Sequence, residues 1–420
     1  MSFAQSLNQS LNSNATHCQV GVVGAGSVAN AAVLMAAQLG LSVVQVVPDA
    51  GAPAGISQDA ASVPRAFAIA PRVQSRLDAL GVWGLLGAQQ VQPAVRMQVF
   101  WESAAGQALL PLAAQDAGAA HLCSFVAEHD LASALATAVQ VAARQRRVLR
   151  ASVTAVQPSP LGTQLILSSG EAVHCDLVIA ADGAHSPLRK LLALEPTVYD
   201  YGHSAVVAVV HAANPHTSTA WQWLAANGSV LALLPLPASV TVSESTAPSA
   251  TSYGLVWSQA HAAASAHQQN PAALLAALNA QCAAHTGALS LGSAVQSFPL
   301  SRASAPQLTQ GGVVLVGDAA HRIHPLAGQG LNLGFEDVFA LGDILAARGW
   351  RSCNDARLLA RYRRARAWPL ASVGAAVHGL ARRGDWPAAA QSLAVQGLAM
   401  MERHTVLGTW FRRKIVGHMV

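Results

Sequence analysis

The chain has 420 residues, of which 52% are hydrophobic and 11% charged, with a formal net charge of +5. That length supports two or three structural units around a sizeable core, and the apolar content excludes intrinsic disorder. Five scattered cysteines form no CxxC pair and 16 histidines no HExxH spacing, so neither a zinc site nor a disulfide framework is expected.

The first sixteen residues lack a basic n-region, so they read as a frayed tail rather than a secretory signal. Residues 19–47 are apolar enough to raise the question of a membrane span, but Gly21, Gly24, Gly26 and Gly40 interrupt them. β-Branched runs lie at both ends, so the stretch is predicted as strand, turn, helix and strand. Further on, 148–168 and 172–181 are β-rich, and Val313 to Val316 is a short buried strand leading into a glycine-punctuated turn and a helix. Strand-like pieces at 205–210, 230–234 and 253–258 lie between them. Residues 238–252, rich in Ser, Thr, Ala and Pro, read as a surface loop. No 20- to 50-residue period repeats. The pattern predicts an α/β fold: a Rossmann-type nucleotide-binding domain (17–190 with 301–350, and inserts near 60–125) interrupted by a largely β domain (191–300). A helical C-terminal region (351–420) follows.

Three motifs carry chemistry. Gly24-Ala25-Gly26-Ser27-Val28-Ala29 follows a strand directly. Gly24 allows a tight turn, Gly26 allows backbone to approach a pyrophosphate, and the third position needs only the small side chain of Ala29. Phosphate would then meet the positive end of the next helix. The position that usually carries an acid for the adenosine ribose is Val47, with Asp49 two residues later as a substitute. The second motif, Asp182-Gly183, is a turn at the carboxyl end of an apolar strand, where open α/β sheets bind ligands. The third runs from Val313 to Asp337. Asp318 is suited to accept hydrogen bonds from a polyol, Gly328 and Gly330 permit a tight turn against a flat ring, and the helix beginning near Leu331 aims unpaired N–H groups at that ring.

The run from His324 to Val338, which includes Gly328, Gln329, Gly330, Leu331 and Asn332, resembles the signature of the ubiquinone-biosynthesis hydroxylases within the flavin aromatic hydroxylases. Similarities extend from about residue 17 to about residue 410. The segment at Arg65 resembles the one whose arginine lies near the flavin, and the segment at Glu128 the one whose polar residue reaches the ribityl chain. The resemblance implies a non-covalent FAD, with NADPH or NADH as reductant and O2 as co-substrate. It assigns Asp182 and Gly183 to FAD and NAD(P)H, and Asp318 to the ribityl chain. Oxygen added at the flavin C4a carbon would be delivered as an electrophile to a phenolic ring, and the protein would exclude water from the adduct. No catalytic residue is nominated; His324 suits a turn cap or a proton relay equally.

The implied substrate is a polyprenylated phenol or quinol. Residues 191–300 contain no lysine, and a scarcity of cations there favours a neutral, greasy ligand over a small aromatic acid. A hydroxylase of another small aromatic and a non-catalytic flavoprotein scaffold remain as alternatives. From Arg351 onward the chain carries 12 basic and 3 acidic residues. Arg361 to Arg366 and Arg412 to Lys414, interleaved with Trp368, Trp410 and Phe411, suit a membrane interface or an acidic partner, including other ubiquinone-biosynthesis proteins. The expected location is cytoplasmic, with peripheral contact at the inner face of the membrane, and no nucleic-acid partner is expected.

Overall fold

The apolar stretch that could have spanned a membrane folds instead as strand Thr16–Val23, helix Ser27–Gln38 and strand Val43–Val47. The computed structural model describes residues 16–48, 63–103, 106–143, 146–159, 162–214, 218–240, 251–324 and 329–403. Among these residues no helix is long and apolar enough to cross a membrane. The initial tail, Asp49, Gly328, most of the loop 238–252 and the basic cluster Arg412 to Lys414 lie outside them.

The first sheet is built on near-continuous apolar strands because both of its faces are buried, one under helices and the other in a cluster that includes Leu165, Val173 and Leu188, so no alternation is needed. Its path runs Thr309–Gln310, Val313–Leu315, Ala172–Ala180, Thr16–Val23, Val43–Val47 and Arg147–Arg150. The last five are mutually parallel. The hairpin Val153–Ser159 and Gly162–Leu167 joins it on Ala172–Ala180. Helices Ser27–Gln38, Glu128–Ala142 and Gln329–Ala346 bury one face in a single apolar core that includes Leu34, Leu135, Leu177 and Phe335.

The second sheet has nine strands and includes the expected strands as Thr197–Ala212, Val230–Pro235 and Thr251–Ala260. It also recruits Arg96–Ser103 and Gly106–Ala113, the former pairing in parallel with Thr219–Leu224. Residues of the early insert therefore belong structurally to the second unit. Helices His261–Gln269 and Pro271–Thr286 cover one face around Leu274, Leu278 and Cys282. A small third sheet pairs Ala66–Ile69 and Val91–Ala94 with Cys123–Ala127, which brings Arg65 and Glu128 together.

The C-terminal region is helical, with Ala356–Ala381 and Ala388–Arg403. Its arginines do not form one outward-facing run. Arg366 is buried and paired with Asp337 and Glu336, and Arg383 is buried and donates to the carbonyl oxygens of Ala225, Ser229 and Leu380. Burying a guanidinium is costly unless most of its donors are met, so the ion pair of Arg366 and the carbonyl acceptors of Arg383, whose Nε has no partner among the described residues, tie these two to the fold.

Candidate active site at the carboxyl edge of the parallel sheet

Strand register explains why three distant motifs meet. Val23 lies opposite both Ala180 and Val46, and Ala180 lies opposite Leu315, so all these strands end at one edge. The residues that leave that edge are Gly24, Ala181 and Val316. Their backbones are stitched together by Gly24 N–H to Val46 O (2.9 Å), Ala181 N–H to Val23 O (2.9 Å) and Val316 N–H to Ala180 O (3.0 Å).

At the first turn Gly24 has φ +133°, and a Cβ there would lie 2.3 Å from Ala181 O, so no other residue fits. Gly26 caps helix Ser27–Gln38 without a side-chain acceptor for the first-turn N–H groups, and a Cβ on it would meet nothing within 4 Å. An uncapped helix start beside open space has the character of an anion site. Ala29 is buried, and Val47 ends the second strand half-buried. Gln45, two residues earlier, was missed by sequence reasoning. Its buried amide donates to Gly24 O (3.0 Å) and accepts from Arg146 Nε (3.2 Å), fixing the glycine turn to the second strand. The signal was there: one polar residue in the run Val43-Val44-Gln45-Val46-Val47.

Asp182 accepts from Leu188 N–H at 3.0 Å through Oδ2, while its buried Oδ1 has no partner among the described residues. Burial raises its carboxyl pKa, against the lowering effect of Ser186, Leu188 and Arg189. Gly183 takes φ +84° in the same turn. Asp318 follows strand Val313–Leu315 in a short 3-10 turn, Gly317–Ala319. Its side chain is accessible, yet enough protein surrounds it for desolvation to raise its pKa, opposed by His321 and Arg322. That combination describes a carboxylate recessed below the general surface. Arg189 joins the two acidic turns, a second residue missed by sequence reasoning. It is buried and donates to Ala184 O at 2.7 Å and to Ala319 O at 2.8 Å. Its position seven residues after Asp182, inside a short helix, gave no sign of that reach.

Helix Gln329–Ala346 starts at the same edge, with Gly330 and Leu331 in its first turn. Asn332 is buried, and its side chain bonds Ala70 N–H (3.0 Å) and Ala68 O (2.7 Å). Both ends of the amide thus brace the strand that follows Arg65. Arg65 is exposed and lies over the Phe298 ring, 5.3 Å from its centroid. Its carbonyl accepts from Glu128 N–H (2.8 Å), and the Glu128 carboxyl pKa is raised by burial and lowered by Arg65.

Beside Arg65 and Glu128 in sequence, Val63 and Ala127 pack with Val209, Leu236 and Val240 of the second unit. His324 sits between the units, buried, edge-to-face on Tyr201 at 4.9 Å, and its Nδ1 has no partner among the described residues. Desolvation, with His203 and Arg383 nearby, pushes its pKa down to about 4, so the ring is neutral at pH 7. Residues 191–300 contain neither lysine nor arginine.

With this geometry established, the comparisons are specific. Residues 17–373 match the family described as "FAD binding domain". The chain is 32% identical to 3-demethoxyubiquinol 3-hydroxylase of Escherichia coli, over 78% of this chain and 79% of that one. It is 29% identical to ubiquinone hydroxylase UbiL of Rhodospirillum rubrum, over 78% and 72%. Among solved structures it is similar in fold to pqsL, a probable FAD-dependent monooxygenase from Pseudomonas aeruginosa. That match has a TM-score of 0.73 at 20% identity and covers 91% of this chain and 100% of that one.

Proposed function

Because the chain belongs to the FAD-binding family of ubiquinone-biosynthesis hydroxylases and is an FAD-dependent monooxygenase, we propose that it hydroxylates the aromatic ring of a polyprenylated phenol or quinol. The observation that carries this reading is the convergence of the Gly24, Asp182 and Asp318 turns on one sheet edge. A neutral polyprenyl substrate suits residues 191–300, which offer no lysine or arginine to hold a carboxylate.

The residues fit FAD. The open space beside Gly26 and the uncapped start of helix Ser27–Gln38 suit a pyrophosphate, with Ser27 in the first turn, and the unpartnered Oδ1 of Asp182 is an acceptor awaiting a donor. FAD, once bound, supplies the redox chemistry, taking a hydride from NAD(P)H and activating O2. The chain's own contribution is placement. Gly24, Gly26, Ser27 and Ala29 would receive the pyrophosphate, and Asp318 and Glu128 would accept from ribityl hydroxyls. Gly183 would leave room beside Asp182, Arg65 would sit over the ring system, and Gly330 and Leu331 would present backbone N–H groups. Gly328 and Gln329 would join Gly330 and Leu331 in contacting the cofactor. The apolar wall of Val209, Leu236 and Val240 would keep water from the reacting centre.

Peripheral lipid contact is part of the same reading. Arg357, Arg361, Arg364 and Trp368 are exposed and fall four, three and four residues apart, so they share one face of helix Ala356–Ala381. Each basic residue near an anionic surface contributes about 1 kcal/mol, and Trp368 suits the interface. Binding to anionic vesicles should fall with salt and with Arg361→Gln/Arg364→Gln; equal binding to neutral vesicles contradicts it. The substrate is tested by deleting the gene. A polyprenylphenol lacking one ring hydroxyl should accumulate, and an unchanged quinone profile would overturn the assignment.

A further inference from the structure

We infer that the C-terminal helix Ala356–Ala381 is a cofactor clamp, in which Tyr362 and Arg366 act through Asp337 and strand Val313–Leu315 to fix the turn that presents Asp318. The inference rests on the proposed role of Asp318 in holding FAD. Asp337 is fully buried on helix Gln329–Ala346. Its Oδ2 accepts from the N–H of Gly317, the residue before Asp318, at 2.9 Å, and shares a 2.6 Å hydrogen bond with His321 Nε2. Its Oδ1 accepts from Arg366 Nε at 2.6 Å. Arg366 also donates to Leu333 O (3.2 Å) and to Glu336 Oε2 (3.4 Å), so its guanidinium lies across two turns of that helix. One helical turn before Arg366, the buried Tyr362 hydroxyl donates to Leu315 O at 3.2 Å, on the strand that feeds the same turn. Residue 315 is thus held by Tyr362 directly, and residues 317 and 321 by Asp337, itself held by Arg366, on both sides of Asp318.

Stability alone does not require this arrangement. A buried ion pair is frequently no more stabilising than apolar residues of similar volume, whereas removing one partner leaves an uncompensated charge. What the pair supplies and apolar residues cannot is a carboxylate on the Gly317 N–H, which holds that residue at φ +58° and thereby aims the next one. Arg366, Asp337 and Tyr362 are accordingly positioning residues.

The test separates placement from folding. Apo-protein of the wild type, Arg366→Met, the double variant Asp337→Leu/Arg366→Met, Tyr362→Phe and Asp318→Ala is titrated with FAD, following flavin fluorescence, and melted without FAD. Arg366→Met should lower the melting temperature and weaken FAD binding by about tenfold or more. The double variant should regain most of the melting temperature yet keep the weakened FAD binding. Recovery of both, or FAD affinity unchanged in Arg366→Met, overturns the clamp. If the arginine variants do not fold, Tyr362→Phe decides: a loss of at least about threefold in FAD affinity with an intact fold supports the clamp, and no loss overturns it. Asp318→Ala isolates the underlying reading, since normal FAD affinity there removes the role of Asp318 itself, whatever the clamp variants do.

Discussion

Lowering the pH should reveal the buried ring of His324 as a stability effect. Its pKa is pushed from 6.5 down to about 4 by burial and by the nearby His203 and Arg383. The folded value lies below the unfolded one, so the contribution is fully present above about pH 6.5 and is lost as pH falls toward 4, because unfolding then takes up a proton. A difference of two and a half units is worth about 3 kcal/mol in full, and about 1.8 kcal/mol of it should be lost between pH 7 and pH 5. Other histidines with depressed values add to the acid sensitivity of the whole protein, among them His121, His203 and His267. The informative quantity is therefore the difference between wild type and His324→Leu, an apolar replacement that leaves no unpartnered nitrogen. Urea unfolding of both at pH 7 and pH 5 should show the variant losing less stability by about 1 to 2 kcal/mol. Equal losses in the two proteins would refute the view that His324 is held neutral between the units.

Asp318→Ala should weaken FAD binding by about 10- to 150-fold, since hydrogen bonds to a charged group are worth about 1.5 to 3 kcal/mol, and equilibrium titration of the apo-protein reads this directly. Burial raises the Asp318 and Asp182 carboxyls in the free protein. FAD that needs them ionised should therefore dissociate as pH falls through these raised values, while circular dichroism still reports a folded chain; Asp318→Asn should flatten that dependence. Gly26→Val should abolish FAD binding with little change in apo-protein melting, because the added side chain meets open space in the free protein and a phosphate in the bound one. Denaturing the holoprotein should release all flavin into the filtrate, and colour retained by the denatured chain would show a covalent link.

Much of the cofactor edge was legible because its signals are local. The glycine turn at 24–26, the Asp-Gly turn at 182 and the Gly-Asp turn at 317 each follow an apolar strand within one short segment. The parts that were not legible depend on distant partners. Nothing in the composition of 96–113 shows that Arg96–Ser103 pairs in parallel with Thr219–Leu224, more than a hundred residues away. Within the basic run, Arg361 and Arg364 are exposed while Arg366 is buried, a distinction set by helical phase and by Asp337, 29 residues earlier. Tyr362 and Arg366 share the inward face with Leu358 and Leu359, and that spacing was the available clue. Asn332 stands in the signature itself, and its bonds to Ala68 and Ala70, more than 250 residues earlier, could not be read from it.

The proposed hydroxylation puts one atom of O2 into the ring of a polyprenylated phenol or quinol. The most direct measurement incubates the FAD-loaded protein with NADH or NADPH, a short-chain polyprenylphenol and isotopically labelled O2, followed by mass spectrometry of the extracted quinol. One labelled oxygen per ring is expected, with reductant consumed in proportion to hydroxylated product. Reductant consumption that yields only hydrogen peroxide with every polyprenylphenol offered, or a product oxygen that comes from water, would contradict it.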